Sequence, residues 1–226
     1  MKGRTAAGRL QALRQIVGVL DQRELGTVSV VDLRRRLADI SASRRRAIAR
    51  TCTQAIKDSR ITRDEATRAF LAKLLISLLP YALSQFAQLL RVKPQVPLAE
   101  VQFSLFCFLD GGAAGTRGNQ NVLRLVEHYL MNVSRDVAQA PWMAGDLLGD
   151  HWDLRESLPV LSAVVLKARH PAGRMAAIHG LSHALDRGTK REQWAIMDVL
   201  SRVASKDRSH KVRSYAESVL GPLRGT

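Results

Sequence analysis

Apolar residues recur every three or four positions along most of the chain, which is the spacing of one face of an α-helix. The alternation of apolar and polar residues that is typical of β-strands is nearly absent. The pattern predicts helices at about 5–20, 29–40, 43–58, 62–79, 81–91, 97–110, 120–133, 135–148, 155–168, 171–186, 190–205 and 209–220.

Signals for helix ends support these boundaries. A hydroxyl residue stands three positions before an acid at Ser29–Asp32, Thr62–Glu65 and Thr189–Glu192, which is the spacing of a capping box. Pro97 and Pro171 stand where a first helical residue is expected, because the amide hydrogen that proline lacks has no partner there.

The last third of the chain repeats itself after 39 residues. The stretch from Leu161 to Leu181 matches the stretch from Leu200 to Leu220, and an arginine lies at the same place in each copy, at Arg174 and Arg213. A period of this length is typical of stacked helical pairs, each too small to bury its own apolar face.

The motifs around this repeat resemble the HEAT repeats of bacterial, phycobilin-lyase-like proteins. The matching residues are Ala144, Leu148, Gly149, Glu156, Leu158, Pro159, Leu161, His170, Pro171, Arg174, Ala177 and Leu181. The resemblance implies an all-α, right-handed HEAT-like α-solenoid of antiparallel helical pairs. It also implies that the two repeated arginines, Arg174 and Arg213, support packing between repeats.

We expect two regions along the chain. Residues 1–91 form a basic N-terminal helical segment without a clear repeat, and residues 97–226 form the HEAT-like repeats, clearest at 142–221. Two segments are candidate boundaries or hinges, namely Lys93–Pro97 and the glycine-rich Gly111–Gly118. The glycine-rich segment lacks the Gly-Lys-Ser/Thr ending of a phosphate-binding loop, so no small-molecule substrate is evident.

The longest uninterrupted apolar stretch, Leu74–Leu83, is too short to span a bilayer, which needs about 20 residues. We therefore expect two buried helices that meet near Pro80 and no membrane span. The chain has only two cysteines and no apolar segment behind its first residues that would indicate a signal peptide. These features favour a cytoplasmic location.

Positive charge is concentrated at the two ends of the chain. The net charge is +15 in total, and residues 1–68 contain 16 Lys and Arg against 7 Asp and Glu. Such a balance favours anionic partners, either an acidic protein or the nucleic-acid backbone. The candidate binding residues are Arg34, Arg35, Arg36, Arg44, Arg45, Arg46, Arg50, Arg187, Lys190 and Arg191.

Two histidines raise the question of a metal site. His179 and His183 are four residues apart on one predicted helix, so both rings face the same side. A third ligand would have to come from Asp150, His151 or Asp186. HEAT-type iron hydroxylases, which resemble this fold, use His-Glu dipeptides as ligands, and the chain has none. The sequence therefore predicts no metal site and no cofactor.

One element is similar to the Trp-x-x-x-Asp motif of HEAT-like alkylpurine DNA glycosylases. That resemblance implies Asp146 as the carboxylate that assists glycosidic cleavage, Trp142 as an aromatic wall and Arg174 as the basic partner. A second tryptophan of the family has no clean match here, and Tyr215 or Ser218 falls nearer its place.

The sequence thus predicts a non-enzymatic interaction module that uses a concave helical surface for an acidic protein partner. The alternative is a nucleic-acid binder of low sequence specificity that uses the basic ends. Glycosylase-like activity at Asp146 is the enzymatic alternative.

Overall fold

A computed structural model describes residues 5–19, 21–91, 96–110, 119–133 and 139–221. These residues are almost all helical and contain no β-strand, so the predicted all-α class is confirmed. The helices are α1 (Ala6–Ile16), α2 (Gln22–Thr27), α3 (Val30–Arg36), α4 (Ala42–Ile56), α5 (Ser59–Thr62), α6 (Glu65–Ser77), α7 (Leu83–Arg91), α8 (Val96–Asp110), α9 (Gln120–Asn132), α10 (Ala140–Asp146), α11 (Leu154–Lys167), α12 (Pro171–Arg187), α13 (Lys190–Lys206) and α14 (His210–Leu220). A π-helical turn, Leu147–His151, continues α10.

Each predicted helix overlaps an observed one, but three local features differ. The short helices α2 and α5 were not predicted, because neither is long enough to develop a helical apolar period. The helix predicted at 135–148 is observed only from Ala140, with residues 134–138 outside the described part of the chain.

The capping predictions are confirmed at two of three helix starts. The Ser29 hydroxyl accepts from the Asp32 amide at 3.0 Å, and Thr189 and Glu192 form a complete capping box. The prediction at Thr62 is wrong. Asp64 caps α6 instead, with its Oδ2 accepting from the Thr67 amide at 2.7 Å, since the chain turns after α5 and α6 starts later than predicted.

The chain divides into two compact units, a first unit of Met1–Thr116 and a second unit of Arg117–Thr226. This division falls within the predicted glycine-rich boundary at 111–118, and those residues themselves lie outside the described part. It does not coincide with the predicted boundary at 91–97, because α8 packs against α5 and α6 of the first unit. Of that second candidate hinge, residues 93–95 are also outside the described part.

In the first unit, α6 lies at the centre and packs against α2, α3, α4 and α8. Its side chains Phe70, Leu71, Leu74 and Leu75 are fully buried. Pro80 lies in the turn between α6 and α7, where two helices were expected to meet. No helix in the described ranges combines the length and the apolar character needed to cross a membrane.

In the second unit, α11 packs on α12 and α13 packs on α14. The apolar positions that the 39-residue period relates are buried in both copies, namely Leu161, Val164, Ala177 and Leu181 in the first and Leu200, Val203, Ala216 and Leu220 in the second. The repeated arginines also act alike. Arg174 donates to the Ala168 carbonyl at 2.8 Å and Arg213 to the Asp207 carbonyl at 2.7 Å, so each binds the end of the preceding helix.

Helix α12 lies in backbone contact with α10 and the π-helical turn. A Cβ atom on Gly145 would overlap the Ala176 carbonyl, and one on Gly149 would overlap the Gly180 carbonyl. Only glycine allows backbones to approach so closely. This contact fixes the distance between the side chains that α10 and α12 project to the same side.

Candidate functional site

The predicted arginine clusters of the first unit are partly engaged in structural contacts. Arg36 forms an ion pair with Glu24 at 2.7 Å, which ties α3 to α2. Arg45 donates to the Ala38 carbonyl at 2.7 Å and lies over the Tyr81 ring, 5.1 Å from its centroid. Arg36 therefore stabilises the contact between α3 and α2, and Arg45 stabilises the turn between α3 and α4.

The remaining arginines of these clusters differ in exposure. Arg35 is largely exposed and pairs with Asp32 at 3.4 Å. Arg34 is partly buried, and this burial lowers the pKa of its guanidinium. Arg44, Arg46 and Arg50 are exposed. The first unit therefore offers fewer cations to a partner than its sequence suggests.

In the second unit, Arg187 is also structural, because its guanidinium donates to the carbonyls of Gly149 and Trp152 and so closes the π-helical turn. Lys190 and Arg191 are exposed in the first turn of α13. Of these three predicted binding residues, Arg187 therefore has a structural role, whereas Lys190 and Arg191 are exposed cations.

A basic pocket lies at the opposite end of α13, where the last turns of α11 and α13 meet. It has a volume of about 390 Å³ and is lined by Val165, Leu166, Lys167, Ala168, Arg174, Arg202, Val203, Lys206, Asp207 and Arg208. The cations Lys167, Arg202 and Lys206 are exposed, and within the described residues they form no ion pair. The pocket therefore has positive charge around an aliphatic floor.

The one carboxylate of this pocket is already neutralised. Arg174 binds Asp207 through two bonds, Nε to Oδ2 at 2.8 Å and Nη2 to Oδ1 at 3.0 Å, and both side chains are buried. Fork-like pairing of this kind is the strong form of the arginine–carboxylate contact. The glycosylase resemblance assigned Arg174 as the basic partner of Asp146, and the structure corrects this, because the guanidinium is engaged at Asp207 and the end of α11.

A second group of polar side chains surrounds Asp146 at the end of α10. Its Oδ1 lies 2.8 Å from His179 Nε2 and 3.5 Å from His183 Nε2, and both histidines project from α12. One ligand atom from each of these three residues lies within 4.8 Å of the other two. We call Asp146, His179 and His183 the histidine–carboxylate cluster.

The outer ring nitrogens of both histidines also have partners. His183 Nδ1 lies 3.0 Å from Asp150 Oδ2, and Asp150 belongs to the π-helical turn. His179 Nδ1 lies 3.1 Å from the hydroxyl of Tyr215 on α14. Burial raises the pKa of the Tyr215 phenol, and the nearby Asp146 carboxylate raises it further, so the hydroxyl stays protonated at neutral pH.

Aromatic rings line one side of the cluster. Trp142 meets His179 edge to face at a centroid distance of 4.9 Å and meets Tyr215 at 5.5 Å. The side chain of Asp146 is 20% exposed. The structure therefore brings together Trp142, Asp146 and Tyr215, but with histidines rather than an arginine beside the carboxylate.

Sequence reasoning considered both histidines but missed their partner. The sequence offers Asp150, His151 or Asp186 as a third ligand, whereas the structure brings Asp146 to the two Nε2 atoms and places Asp150 behind His183. The sequence signal for this cluster is the pair Gly145 and Gly149, because two glycines four residues apart indicate a close contact with another helix. Asp146 lies between them and is therefore near that contact. The partner helix of that contact cannot be read from spacing alone.

Comparisons with protein-family models, with curated proteins and with solved structures find no match to this chain.

Proposed function

We propose that this chain is a HEAT-like helical-repeat protein whose second unit binds an acidic segment of a partner protein. The 39-residue period of buried positions in α11–α14 supports a right-handed solenoid of antiparallel helical pairs. Repeat surfaces of this kind commonly bind other macromolecules, and the assignment of a binding rather than a catalytic role rests on that analogy.

The basic pocket at the ends of α11 and α13 carries the proposal. Its cations Lys167, Arg202 and Lys206 are exposed, while Arg174 already neutralises the Asp207 carboxylate. The helix C-termini at this place favour nearby cations, but a surplus of several positive charges remains. A surface with this charge attracts an anionic partner and accelerates its association.

The apolar part of the surface favours a protein over a nucleic-acid backbone. Leu166 is 43% exposed at the pocket, and Trp194, two turns before Arg202 on α13, is 70% exposed. A phosphate backbone has no group that would cover the aliphatic side chain of Leu166, whereas an aliphatic residue within an acidic segment would cover it. Exposed tryptophan is also enriched among residues that dominate the affinity of protein interfaces.

Fluorescence anisotropy of the full chain tests the proposal with two labelled probes. One is a short peptide in which acidic residues flank a single leucine, and the other is double-stranded DNA, each at about 50 and 200 mM salt. The pocket variant carries Arg202→Glu and Lys206→Glu. Its matched control carries Lys190→Glu and Arg191→Glu, which makes the same charge change at the other end of α13.

We expect the wild-type chain to bind the peptide, the pocket variant to bind it about tenfold or more weakly, and the control to stay close to wild type. Equal losses in both variants would overturn the assignment to the pocket, because the peptide would then be attracted by overall charge or by the predicted binding residues Lys190 and Arg191. DNA binding that is tighter than peptide binding and falls steeply with salt would replace this proposal with the nucleic-acid one.

A further inference from the structure

We infer that the histidine–carboxylate cluster of Asp146, His179 and His183 binds one divalent transition-metal ion of the zinc type. This inference concerns a different group of residues from the basic pocket and does not depend on partner binding.

The three donor atoms already have nearly the spacing of a metal site. Metal–ligand distances of about 2.0–2.2 Å in a tetrahedral zinc site place neighbouring ligand atoms roughly 3.3 Å apart. Asp146 Oδ1 lies 2.8 Å and 3.5 Å from the Nε2 atoms of His179 and His183. One donor atom from each of the three residues lies within 4.8 Å of the other two, so these atoms converge on one point between α10 and α12.

The shared carboxylate oxygen lacks an aligned hydrogen bond. Asp146 Oδ1 is inaccessible to solvent and accepts no hydrogen bond of acceptable geometry from the described residues, although an imidazole nitrogen lies 2.8 Å away. A buried anionic oxygen without a donor is costly. A cation between Asp146 Oδ1 and the two Nε2 atoms would satisfy this oxygen. Because the contact from His179 Nε2 is not aligned as a hydrogen bond, the geometry fits ligand atoms around one ion better than a hydrogen-bonded pair.

The groups behind the histidines can hold the tautomer that a metal requires. A metal-bound histidine commonly donates its other ring N–H to a carboxylate or another acceptor, which fixes the tautomer and the ring orientation. Asp150 Oδ2 can accept this hydrogen from His183 Nδ1 at 3.0 Å, and the Tyr215 oxygen can accept it from His179 Nδ1 at 3.1 Å. Both Nε2 lone pairs then face Asp146.

The backbone holds these groups in a fixed arrangement. His179 and His183 are one turn apart on α12, and their ring centroids are 4.7 Å apart. The glycine contact joins α12 to α10 and to the π-helical turn, which carry Asp146 and Asp150. Irregular π-helical turns are frequent at functional sites, and a ligand set on packed helices is more precise than one on loops.

The donor set also selects the class of ion. Two imidazoles and one carboxylate suit zinc and similar transition metals, whereas Mg²⁺ and Ca²⁺ prefer sets made only of oxygen. Three protein ligands leave a further coordination position for water or another ligand. The site therefore has the composition of a zinc centre that is not closed by the protein alone.

Isothermal titration calorimetry of the full chain, freed of metal with a chelator and then dialysed, tests the inference. Zn²⁺ is the probe and Mg²⁺ the comparison ion. We expect one Zn²⁺ per chain and much weaker binding of Mg²⁺. His183→Asn should abolish the stoichiometric binding, and His210→Asn, which removes an exposed histidine outside the cluster, should leave it intact. Asp150→Asn should retain one site with an affinity about 10–100-fold lower.

Absence of Zn²⁺ binding by the wild-type chain overturns the inference, as does equal binding by His183→Asn and His210→Asn, because the ion would then bind elsewhere. Circular dichroism checks that each variant is folded. If His183→Asn unfolds the chain, ¹⁵N NMR of the wild-type imidazoles decides. Zn²⁺-dependent shifts at Nε2 with protons kept on Nδ1 support the site, and unchanged signals overturn it.

Discussion

Gly180 on α12 lies so close to Gly145 on α10 that neither position has room for a Cβ atom. A Cβ on Gly180 would lie 2.6 Å from the Gly145 carbonyl oxygen and 2.9 Å from Leu161 Cδ2, and one on Gly145 would overlap the Ala176 carbonyl. The obstacles include backbone atoms of the facing helix, which a change of side-chain rotamer cannot move. The two helices are thus held at the distance that the histidine–carboxylate cluster requires.

Gly180→Ala should therefore lower the free energy of unfolding by a net of roughly 1–2 kcal/mol. Overpacking usually costs about 1–3 kcal/mol, and the gain in helix propensity, up to about 1 kcal/mol for glycine to alanine, offsets part of this cost. Chemical denaturation monitored by circular dichroism measures the change. Gly221→Ala is the control, because no atom lies within 4 Å of a Cβ at that position, and it should change the stability by no more than about 0.5 kcal/mol. Equal effects of the two variants would contradict the steric explanation.

The helices could be predicted because the signals for them are local. The apolar period and the hydroxyl–acid spacing at Ser29 and Thr189 depend on residues within one or two turns, and the 39-residue repeat identifies equivalent buried positions. Thr62 misled the prediction because its spacing to Glu65 mimics a capping box, while Asp64 lies closer to the first turn of α6 and offers a better acceptor. Helices of a few residues, such as α5, leave no periodic signal.

The candidate sites were harder to predict because they depend on which helix faces which. Arg174 and Asp207 are 33 residues apart, and no spacing rule relates them. The HEAT resemblance implies a packing role for Arg174, whose side chain is buried against Asp207, whereas the glycosylase resemblance assigns the same residue to Asp146. The cluster of Asp146 with His179 and His183 follows from the glycine contact between α10 and α12, which is a tertiary feature.

The Arg174–Asp207 ion pair leads to a second prediction. Asp207→Asn should lower the free energy of unfolding by about 3 kcal/mol, because it leaves the guanidinium of Arg174 buried without its countercharge. Asp198→Asn makes the same chemical change at an exposed position on α13 and should have an effect within about 0.5 kcal/mol. Urea denaturation of both variants and the wild type gives the comparison. A loss for Asp207→Asn no larger than that of its control would mean that the buried pair adds little.

The two thiols should differ in reactivity. Cys52 is fully buried, its Sγ lies 3.2 Å from the Leu71 carbonyl oxygen, and burial raises its pKa, so little of the reactive thiolate forms. Cys107 is partly exposed. A thiol reagent at mildly alkaline pH should therefore modify Cys107 in the native chain and Cys52 only after denaturation. Cys107→Ser should remove the native reaction, whereas Cys52→Ser should keep it. The reverse pattern would contradict the burial of Cys52.

The capping box of α13 predicts a measurable pKa shift at its acid. The Glu192 carboxylate accepts from the Thr189 hydroxyl at 2.7 Å and from the Thr189 amide at 2.8 Å, and these bonds hold the pKa of Glu192 below its ordinary value. Because the folded pKa is lowered, the stabilisation is present above the pKa of an unfolded glutamate and is lost as the pH falls through the lowered value.

Thr189→Ala removes the hydroxyl donor, so the pKa of Glu192 should rise towards its ordinary value in an NMR titration of the side-chain carboxyl carbon. The same variant should lower the Tm by roughly 2–4 °C through loss of the cap. Ser209→Ala is the matched control, since Ser209 occupies the same position before α14 but its side chain makes no capping hydrogen bond. It should lower the Tm less. If the pKa of Glu192 does not change in Thr189→Ala, the Thr189 hydroxyl is not its hydrogen-bond donor in solution. If both variants show a similar fall in Tm, the capping bond adds no stability to α13.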